Sequence, residues 1–295
     1  MPDAETSLVD AHHHLWDLTR RPQPWLEEPA HAPIRRSYGP DDLRAAASRT
    51  IAGRRLGTSV VVQCVTSVPE TEDLLALAGT DPPIGAVVGW ADLTGPAIGD
   101  VLDRLREGPG GSYLRALRHI VQAETDPWWL QRPDAERGLR ALVERGLGYD
   151  VLIRDHQLPQ AIRLAERLPA LRLVLDHAGK PPIAKGELAD WQRLVRVLAT
   201  HPQVTCKVSG LVTEADHASW TTADIRRPVW DVLLSAFGPD RLMFGSDWPV
   251  CVLAGGWDRW AATVEELLHD LSGDEQHAVL NGTATGFYRL TPTRS

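Results

Sequence analysis

The sequence predicts an α/β fold, a (β/α)8 barrel of the TIM type that forms a single domain over residues 1–295. Eight short runs rich in Val, Ile and Leu follow one another along the chain, mostly without alternation of apolar and polar residues. Such runs are typical of strands buried on both faces of a parallel sheet. Segments with helical periodicity separate them, and eight strand–helix repeats favour a closed barrel over an open sheet. Because no Gly-x-Gly-x-x-Gly follows the first run, a nucleotide cofactor is not expected.

The eight strand candidates are residues 8–14, 59–65, 84–92, 114–121, 149–154, 171–177, 204–209 and 241–246. Helices are predicted at residues 70–78, 135–145, 158–167, 191–199 and 259–271. The first helix begins with acidic residues, which suit a helix N-terminus, and the others carry apolar residues at three- and four-residue spacing. Two loops, residues 15–40 and 247–256, follow the carboxyl ends of barrel strands, where this fold builds its active sites.

Composition and charge narrow the class of protein. The chain has 43% hydrophobic and 24% charged residues, which suits an ordinary globular protein with a sizeable core. Its formal net charge of −8 provides no basic surface for nucleic acid, and no apolar stretch is long enough to cross a bilayer. Three cysteines make no disulfide framework and the amino terminus lacks a signal-peptide pattern, so we expect a cytoplasmic protein.

The first candidate site residues lie in the segment DAHHHLWD, residues 10–17. Residues two apart in a strand share a face, so His12 and His14 would point together into the barrel mouth while His13 points away. Two neighbouring imidazoles can hold a metal ion or bind a single oxygen atom. The alternative is that these histidines only cap the polar end of the barrel.

His177 ends the sixth predicted strand and Asp247 follows the eighth. Taken alone, His177 could be a hydrogen-bonded structural histidine and Asp247 a turn residue or a helix cap. In a closed barrel, however, strand eight lies beside strand one, which would place Asp247 next to His12 and His14. A carboxylate among imidazoles can take a proton from water, while the imidazoles or a bound metal polarise a carbonyl. The cluster therefore predicts hydrolysis of a carbonyl compound.

Six further residues at the predicted mouth could bind substrate: Arg118, His119, Gln63, Gln157, Trp25 and Trp248. The arginine suits hydroxyl or carboxylate groups, the amides suit sugar hydroxyls, and a tryptophan presents a flat apolar face to a sugar ring. Each has a structural alternative: an ion pair between loops, loop hydrogen bonds, or packing. Lys207 could face the mouth or pair with an acid inside the barrel.

Six segments together resemble a known family: DAHHHLWD, LRALRHIVQAE, QLPQAI, LVLDHAGKP, CKVSGLVTEAD and GPDRLMFGSDWPVC. In this order they resemble the amidohydrolase superfamily in its amidohydrolase 2 branch. More narrowly, they are similar to the sugar-lactone hydrolases of the L-fuconolactonase and L-rhamnono-lactonase type. The resemblance covers essentially the whole chain, and it is the combination of segments that is specific, since each one alone is weak.

The resemblance implies a distorted (β/α)8 barrel that opens the ring of an aldonic-acid lactone with water. By position, it assigns the catalytic roles to His12, His14, His177 and Asp247. In related metal-free members the aspartate activates water and the histidines bind the lactone carbonyl, whereas other members hold one or two divalent metals on these residues. No lysine ends strand four, where Arg118 and His119 stand, so a two-metal site is not expected. One divalent metal, zinc in the first place, and a metal-free site both stay open.

The leading hypothesis is hydrolysis of a sugar lactone, a carboxylic ester, in carbohydrate catabolism. One alternative is a metal-dependent non-oxidative decarboxylase, a reaction of other members of the branch, and another is a hydrolase of a different carboxylic ester. A third is a catalytically inactive barrel that binds a small molecule. The expected partner is the small-molecule substrate, with no nucleic acid and no membrane, and a homo-oligomer stays open.

Overall fold

The computed structural model describes residues 7–81 and 83–291, and its eight strands form one parallel sheet in the order of the chain. The strands are β1 Ser7–His13, β2 Arg55–Val62, β3 Ile84–Gly89, β4 Leu114–His119, β5 Gly148–Val151, β6 Leu173–Leu175, β7 Val204–Val208 and β8 Leu242–Phe244. The predicted (β/α)8 barrel is confirmed, and each predicted strand is present with somewhat different ends.

Backbone hydrogen bonds join the first strand to the segment that follows the last. The N–H of Asp247 donates to the carbonyl of His12 at 2.8 Å, and the N–H of His14 donates to the carbonyl of Trp248 at 2.7 Å. Both bonds lie beyond the end of β8, so the first and last strands meet at the carboxyl end of the barrel. The chain therefore closes where the sequence predicts the site.

The side chain of Asp10 reinforces this junction. Its carboxylate accepts hydrogen bonds from the backbone N–H and the hydroxyl of Ser246, at 2.8 and 2.6 Å. It also accepts from the backbone N–H of His12 at 3.1 Å. Asp10 and Ser246 are fully buried. One carboxylate thus satisfies three buried donors on both sides of the seam.

Helices surround the barrel, and five of them correspond to the predicted ones. The helices are α1 Pro40–Ala46, α2 Val68–Ala78, α3 Ile98–Glu107, α4 Pro133–Glu144, α5 Leu158–Arg167, α6 Ala189–Ala199, α7 Thr222–Ile225, α8 Asp231–Phe237, α9 Gly256–Leu268, α10 Gly273–His277 and α11 Thr283–Tyr288. The predicted helices are α2, α4, α5, α6 and α9. Four of them, α2, α4, α6 and α9, begin two or three residues earlier than predicted. In α2 and α4 a proline occupies the first turn, where it needs no backbone partner. No described helix is long and apolar enough to cross a membrane.

Helix α3 was not predicted from the sequence, although its buried residues have helical spacing. Ile98, Leu102 and Leu105 are buried at the three- and four-residue spacing of an amphipathic helix. The remaining unpredicted helices, α1, α7, α8, α10 and α11, have four to seven residues each. Segments of that length show too few turns for a periodic pattern to stand out.

The C-terminal helix α11 packs against the interior of the barrel at its amino-terminal end. Phe287 and Tyr288 join a buried apolar cluster with residues of β1 to β4, β6 and β8. Asn281, just before this helix, donates through its amide to the carbonyl of Ser7, where β1 begins, at 2.9 Å. One end of the barrel is thereby filled, which leaves the carboxyl end for a site.

We expect Asp10→Ala to lower the free energy of unfolding by about 2–4 kcal/mol, because it leaves buried donors of Ser246 and His12 without an acceptor. Denaturant unfolding followed by circular dichroism measures this loss. Asp10→Asn keeps one acceptor oxygen and should lose less. If Asp10→Ala had the same midpoint denaturant concentration as the wild type, the Asp10 carboxylate would not stabilise the seam.

Candidate active site

Four residues far apart in the sequence meet at the carboxyl end of the barrel. Oδ1 of Asp247 lies 3.8 Å from Nε2 of His12 and 3.5 Å from Nε2 of His14. The same oxygen lies 3.9 Å from Nε2 of His177. His13 instead turns away, and its Nε2 lies 3.0 Å from the hydroxyl of Ser59. The structure thus brings together the carboxylate and the three imidazoles that the sequence singled out.

Unusual backbone conformations place two of these side chains. His177 and Asp247 have φ angles of 52° and 54°, in the left-handed region that non-glycine residues seldom adopt. His177 stands just beyond the end of β6, and the neighbours Asp176 and His177 both contact the cluster. Gly210 makes room for it, because a Cβ at this position would lie 2.5 Å from Nδ1 of His177. Strained backbone of this kind is typical of functional sites.

Hydrogen bonds define which nitrogen of His14 carries the proton. Nδ1 of His14 lies 2.8 Å from the carbonyl oxygen of Val62, so it must donate, and Nε2 presents a lone pair to the cluster. Nε2 of His12 lies 3.2 Å from this nitrogen and can bond to it only as a donor. On the other side of that ring, Nζ of Lys207, which has only donors, lies 3.1 Å from Nδ1 of His12. The contacts are consistent with a chain of donors running from Lys207 through His12 to His14.

A network of buried charges lies beneath the imidazoles. Asp150 accepts from Nζ of Lys207 at 2.6 Å and from the hydroxyl of Tyr288 at 2.8 Å. Asp176 lies 3.0 Å from Nζ of Lys207 through Oδ1 and 3.3 Å from Nη1 of Arg118 through Oδ2. Lys207, Asp150 and Asp176 are fully buried. Opposite charges in contact offset the high cost of removing each from water.

Sequence reasoning missed part of this network. Of the two alternatives for Lys207, the structure has the one in which it pairs with acids inside the barrel. The contacts of Asp176 and Asp150 were not predicted from the sequence. A usable signal was present, because Asp150 and Lys207 are charged residues within otherwise apolar strands. Such residues are rarely buried unless they are paired.

Burial and neighbouring charges set the protonation of the cluster. Burial lowers the pKa of His12 well below its usual value, and the charge of Lys207 lowers it further. Burial also lowers the pKa of His177 to about 4, although the Asp247 carboxylate opposes this shift. Burial alone would raise the pKa of Asp247, but the contacts with His177 and His14 outweigh it and hold the pKa below its usual value. At neutral pH the cluster therefore contains an ionised carboxylate beside neutral His12 and His177.

Arg118 and Gln63, both predicted to bind substrate, lie at the edge of the cluster. Nη1 of Arg118 is 3.4 Å from Nε2 of His12. The amide of Gln63 donates to the carbonyl of Arg118 at 3.2 Å, and Nη2 of Arg118 donates to the carbonyl of Gln63. Nε of Arg118 and Oε1 of Gln63 are buried and have no hydrogen-bond partner in the part of the chain that the structure describes. These two atoms retain bonding capacity beside the cluster.

His119 and Gln157, also predicted to bind substrate, use their polar atoms within the protein. Nδ1 of His119 accepts from the indole of Trp90 at 3.1 Å, and Nε2 lies 2.6 Å from Glu124. The amide nitrogen of Gln157 donates to the carbonyl of Val121 at 3.1 Å, and its oxygen accepts from the N–H of Arg154 at 2.9 Å. For Gln157 these contacts are the loop hydrogen bonds that were the alternative to substrate binding. Since the polar atoms of His119 and Gln157 are already bonded, we do not include either residue in the proposed site.

Trp248 and Trp25 belong to a chain of aromatic contacts that anchors the long first loop. Trp248 packs edge-to-face on Tyr38 at 5.1 Å, Tyr38 on Trp16 at 5.3 Å, and Trp16 on Trp25 at 5.4 Å between ring centroids. Trp248 is only 3% exposed, which leaves little of its surface for a ligand. Trp25 is half-buried, and its indole donates to Gln23 at 2.9 Å. The chain of rings connects the loop to the residue that follows Asp247.

The cluster fits a divalent metal ion. Nε2 of His12, Nε2 of His14 and Oδ1 of Asp247 lie within 4.8 Å of one another, and nitrogen and carboxylate donors suit zinc. The hydrogen bond from Nδ1 of His14 to a backbone carbonyl leaves Nε2 free, as metal ligation requires. Nδ1 of His12 lies 3.4 Å from Oδ1 of Asp176, so the tautomer of His12 with a free Nε2 also has an acceptor for its proton.

A (β/α)8 barrel with imidazoles and a carboxylate at the carboxyl ends of its strands has groups that can activate water, directly or through a metal ion. The family model described as Amidohydrolase matches residues 9–290, so the chain belongs to the amidohydrolase family. The resemblance found in the sequence motifs is confirmed.

Individual relatives are similar over nearly the whole chain. The L-fucono-1,5-lactonase of Burkholderia multivorans is 39% identical over 292 residues, which cover 96% of each protein. The L-fucono-1,5-lactonase of Burkholderia ambifaria is 35% identical over 291 residues, 97% of this chain and 96% of the relative. The crystal structure of an amidohydrolase from Burkholderia multivorans with bound zinc has a TM-score of 0.88 at 39% identity, covering 97% of this chain and 100% of that one.

We expect histidine nitrogen NMR spectra to show His14 as the tautomer with its proton on Nδ1, because the Val62 carbonyl accepts that proton. His177 should stay neutral as the pH falls from 8 and should begin to protonate only near its pKa of about 4. The exposed His269, at the end of α9, serves as an internal reference for a solvated ring. A His14 proton on Nε2, or protonation of His177 near pH 6.5, would contradict this picture of the site.

Proposed function

We propose that this protein hydrolyses the ring ester of a sugar lactone, an aldonic-acid lactone, with L-fucono-1,5-lactone as the leading candidate substrate. The observation that carries the proposal is the ionised carboxylate of Asp247, which faces three imidazoles and lies 3.5 to 3.9 Å from them. Two relatives at 39% and 35% identity that bear the name L-fucono-1,5-lactonase support the choice of lactone. Hydrolysis needs no nucleotide and no second substrate other than water.

Asp247 is the proposed general base. Its carboxylate takes a proton from water as the water oxygen attacks the lactone carbonyl carbon, and the carbonyl oxygen becomes an oxyanion. The ring carbon–oxygen bond then breaks, and the departing ring oxygen takes the proton back from Asp247. The products are a carboxyl group and a hydroxyl group on one opened chain. A base placed this way typically accelerates a reaction by about 10²–10⁴-fold.

Donors around Asp247 would stabilise the oxyanion. Nη1 of Arg118 lies 3.4 Å from Nε2 of His12, and the Nε2 proton of His12 would be shared between His14 and the oxyanion. Buried donors that are already oriented lower the barrier because they need no reorganisation during the reaction. His14 presents a lone pair in the arrangement described, so it orients His12 and is not itself a donor to the oxyanion.

The network of Lys207, Asp150 and Asp176 acts through His12. Nζ of Lys207 contacts Nδ1 of this ring at 3.1 Å and favours the tautomer that carries a proton on Nε2. These buried residues do not reach the substrate side of the ring, so we regard them as positioning residues.

The proposed metal ligands are His12, His14, His177 and Asp247. A divalent ion held there, zinc in the first place, would supply Lewis acidity toward the lactone carbonyl. The donor atoms of His12, His14 and Asp247 are grouped closely enough for one ion, and the related barrel of Burkholderia multivorans has zinc bound. Without the ion, Asp247 and the donors on His12 and Arg118 form the proposed site. With the ion bound, Nε2 of His12 would be a ligand and Arg118 would be the remaining donor.

We expect proton release when the protein is mixed with sugar lactones, read by a pH indicator in weak buffer after subtraction of spontaneous hydrolysis. The panel contains the 1,5- and 1,4-lactones of L-fuconate, L-rhamnonate and their D-counterparts, and L-fucono-1,5-lactone should react fastest. Asp247→Asn should lower kcat/KM by about 10²–10⁴-fold while the fold is kept, because an amide cannot accept the water proton.

The matched control is Asp190→Asn, the same chemical change on the exposed surface of α6. It should keep the wild-type rate. A wild-type rate in Asp247→Asn would remove this residue from the mechanism. No activity on any lactone, together with carbon dioxide release from aromatic carboxylic acids, would favour the decarboxylase alternative.

We expect protein that has been dialysed against a chelator to take up one equivalent of zinc per chain, measured by elemental analysis after gel filtration. Asp247→Asn and His14→Gln should each retain markedly less, because a coordinating atom is lost. Lactone hydrolysis measured before and after loading then gives the contribution of the ion. Equal zinc retention by wild type and both variants would place any bound zinc elsewhere in the protein.

A further inference from the structure

A cavity lies at the amino-terminal end of the barrel, opposite the proposed active site. It has a volume of about 450 Å³ and is bordered by residues at the starts of β4, β5 and β6 and by the end of α3. Five arginines line it: Arg106, Arg115, Arg145, Arg172 and Arg289. The whole chain carries a net charge of −8, so this concentration of positive charge is unlike the protein as a whole. The cavity shares no lining residue with the proposed active site.

Most of these charges are not neutralised. Arg145 pairs with Asp103 through two hydrogen bonds of 2.8 and 2.7 Å. Arg172 donates only to backbone carbonyls, one of them that of Gly146 at 2.8 Å. The other three arginines have no ion pair within residues 7–81 and 83–291. The remaining acidic residue of the lining is Glu107.

The arginines also oppose one another. Burial lowers the pKa of Arg115, and the charges of Arg289 and Arg106 lower it further. Burial and the charges of Arg289 and Arg115 do the same for Arg172. Nε of Arg115 is a buried donor without an acceptor among the described residues. An uncompensated buried donor and mutual repulsion both cost stability, and a bound anion would relieve both.

The backbone holds one of these side chains in place. Arg289 follows α11 with φ of 50°, in the left-handed region, and its guanidinium lies beside Gly146 at the wall of the cavity. Gly146 itself has φ of 65°, and a Cβ there would lie 3.2 Å from Nη1 of Arg289. A strained backbone and a matching glycine thus set Arg289 against the cavity wall.

We propose that this cavity is a binding site for a phosphate dianion, either inorganic phosphate or the phosphate group of a small phosphate monoester. Planar guanidinium groups present paired N–H donors that match phosphate oxygens, and several can converge on one tetrahedral anion. The unpaired arginines, the buried donor of Arg115 and the volume of the cavity all suit such a ligand. The site is independent of the lactone reaction at the other end of the barrel.

The test is thermal unfolding and calorimetric titration of the full chain with sodium phosphate, with chloride used to keep ionic strength constant. We expect a saturable rise in Tm, because a ligand that binds only the folded state stabilises it. Arg289→Gln and Arg115→Gln should each weaken phosphate binding by about tenfold or more. Without phosphate, their Tm should equal or exceed that of the wild type, because each removes a repelling charge.

Three controls make the test specific. Arg193→Gln removes an exposed arginine on α6 and should leave phosphate binding unchanged. Asp247→Asn should also bind phosphate as the wild type does, which separates this site from the proposed active site. Arg289→Lys keeps the charge without the paired donors and should bind with intermediate affinity.

Glycerol 3-phosphate, titrated in the same way, identifies the source of the anion. Tighter binding than inorganic phosphate supports a phosphate monoester as the ligand, and weaker binding supports the free ion. The proposal is overturned if phosphate gives no saturable shift at millimolar concentration, or if it stabilises Arg289→Gln and Arg115→Gln as much as the wild type. Arg115 is partly buried, so Arg115→Gln could disturb folding. Arg289 is exposed and its replacement is not expected to do so, which keeps the test valid if Arg115→Gln fails to fold.

Discussion

The N–H of Asp247 donates to the carbonyl of His12, and the N–H of His14 donates to the carbonyl of Trp248. These two hydrogen bonds join the ends of the barrel sheet, and the carboxylate of Asp10 supports them by accepting from Ser246. The geometry of the proposed site depends on this seam, because it places a carboxylate from one end of the chain beside imidazoles from the other. Loosening it would change the distance between Asp247 and these imidazoles.

Buried charge around His12 is the second constraint. Removing charges from water is costly, and the pairing of Lys207 with Asp150 and Asp176 only offsets that cost. An apolar core would fill the same space without this cost. The ion pairs instead hold Nζ of Lys207 against Nδ1 of His12. This contact favours the tautomer of His12 that carries its proton on Nε2, the nitrogen nearer to Asp247. We infer that these buried charges cost stability but determine which nitrogen of His12 carries the proton.

The two ends of the barrel differ in how far their charged side chains are paired. At the carboxyl end, cations and carboxylates are paired around the compact cluster of imidazoles. At the amino end, α11 fills the interior with apolar side chains, while Arg115, Arg172 and Arg289 stand together outside it with few partners. In the first arrangement, Lys207, Asp150, Asp176 and Arg118 have partners of opposite charge within the protein. The second has an excess of positive charge that an anion from solution would balance, so each end presents a different ligand chemistry.

The sequence alone determined the strand order, the barrel and the cluster of His12, His14, His177 and Asp247, because strand periodicity and chain closure are local or topological properties. Tertiary structure decided the rest. His177 faces the same cluster as its neighbour Asp176 through a left-handed backbone, and the two ring nitrogens of His119 are occupied by Trp90 and Glu124. The direction of a side chain at a strand end and the partners of a buried polar atom depend on residues distant in sequence. No pattern along one segment contains that information.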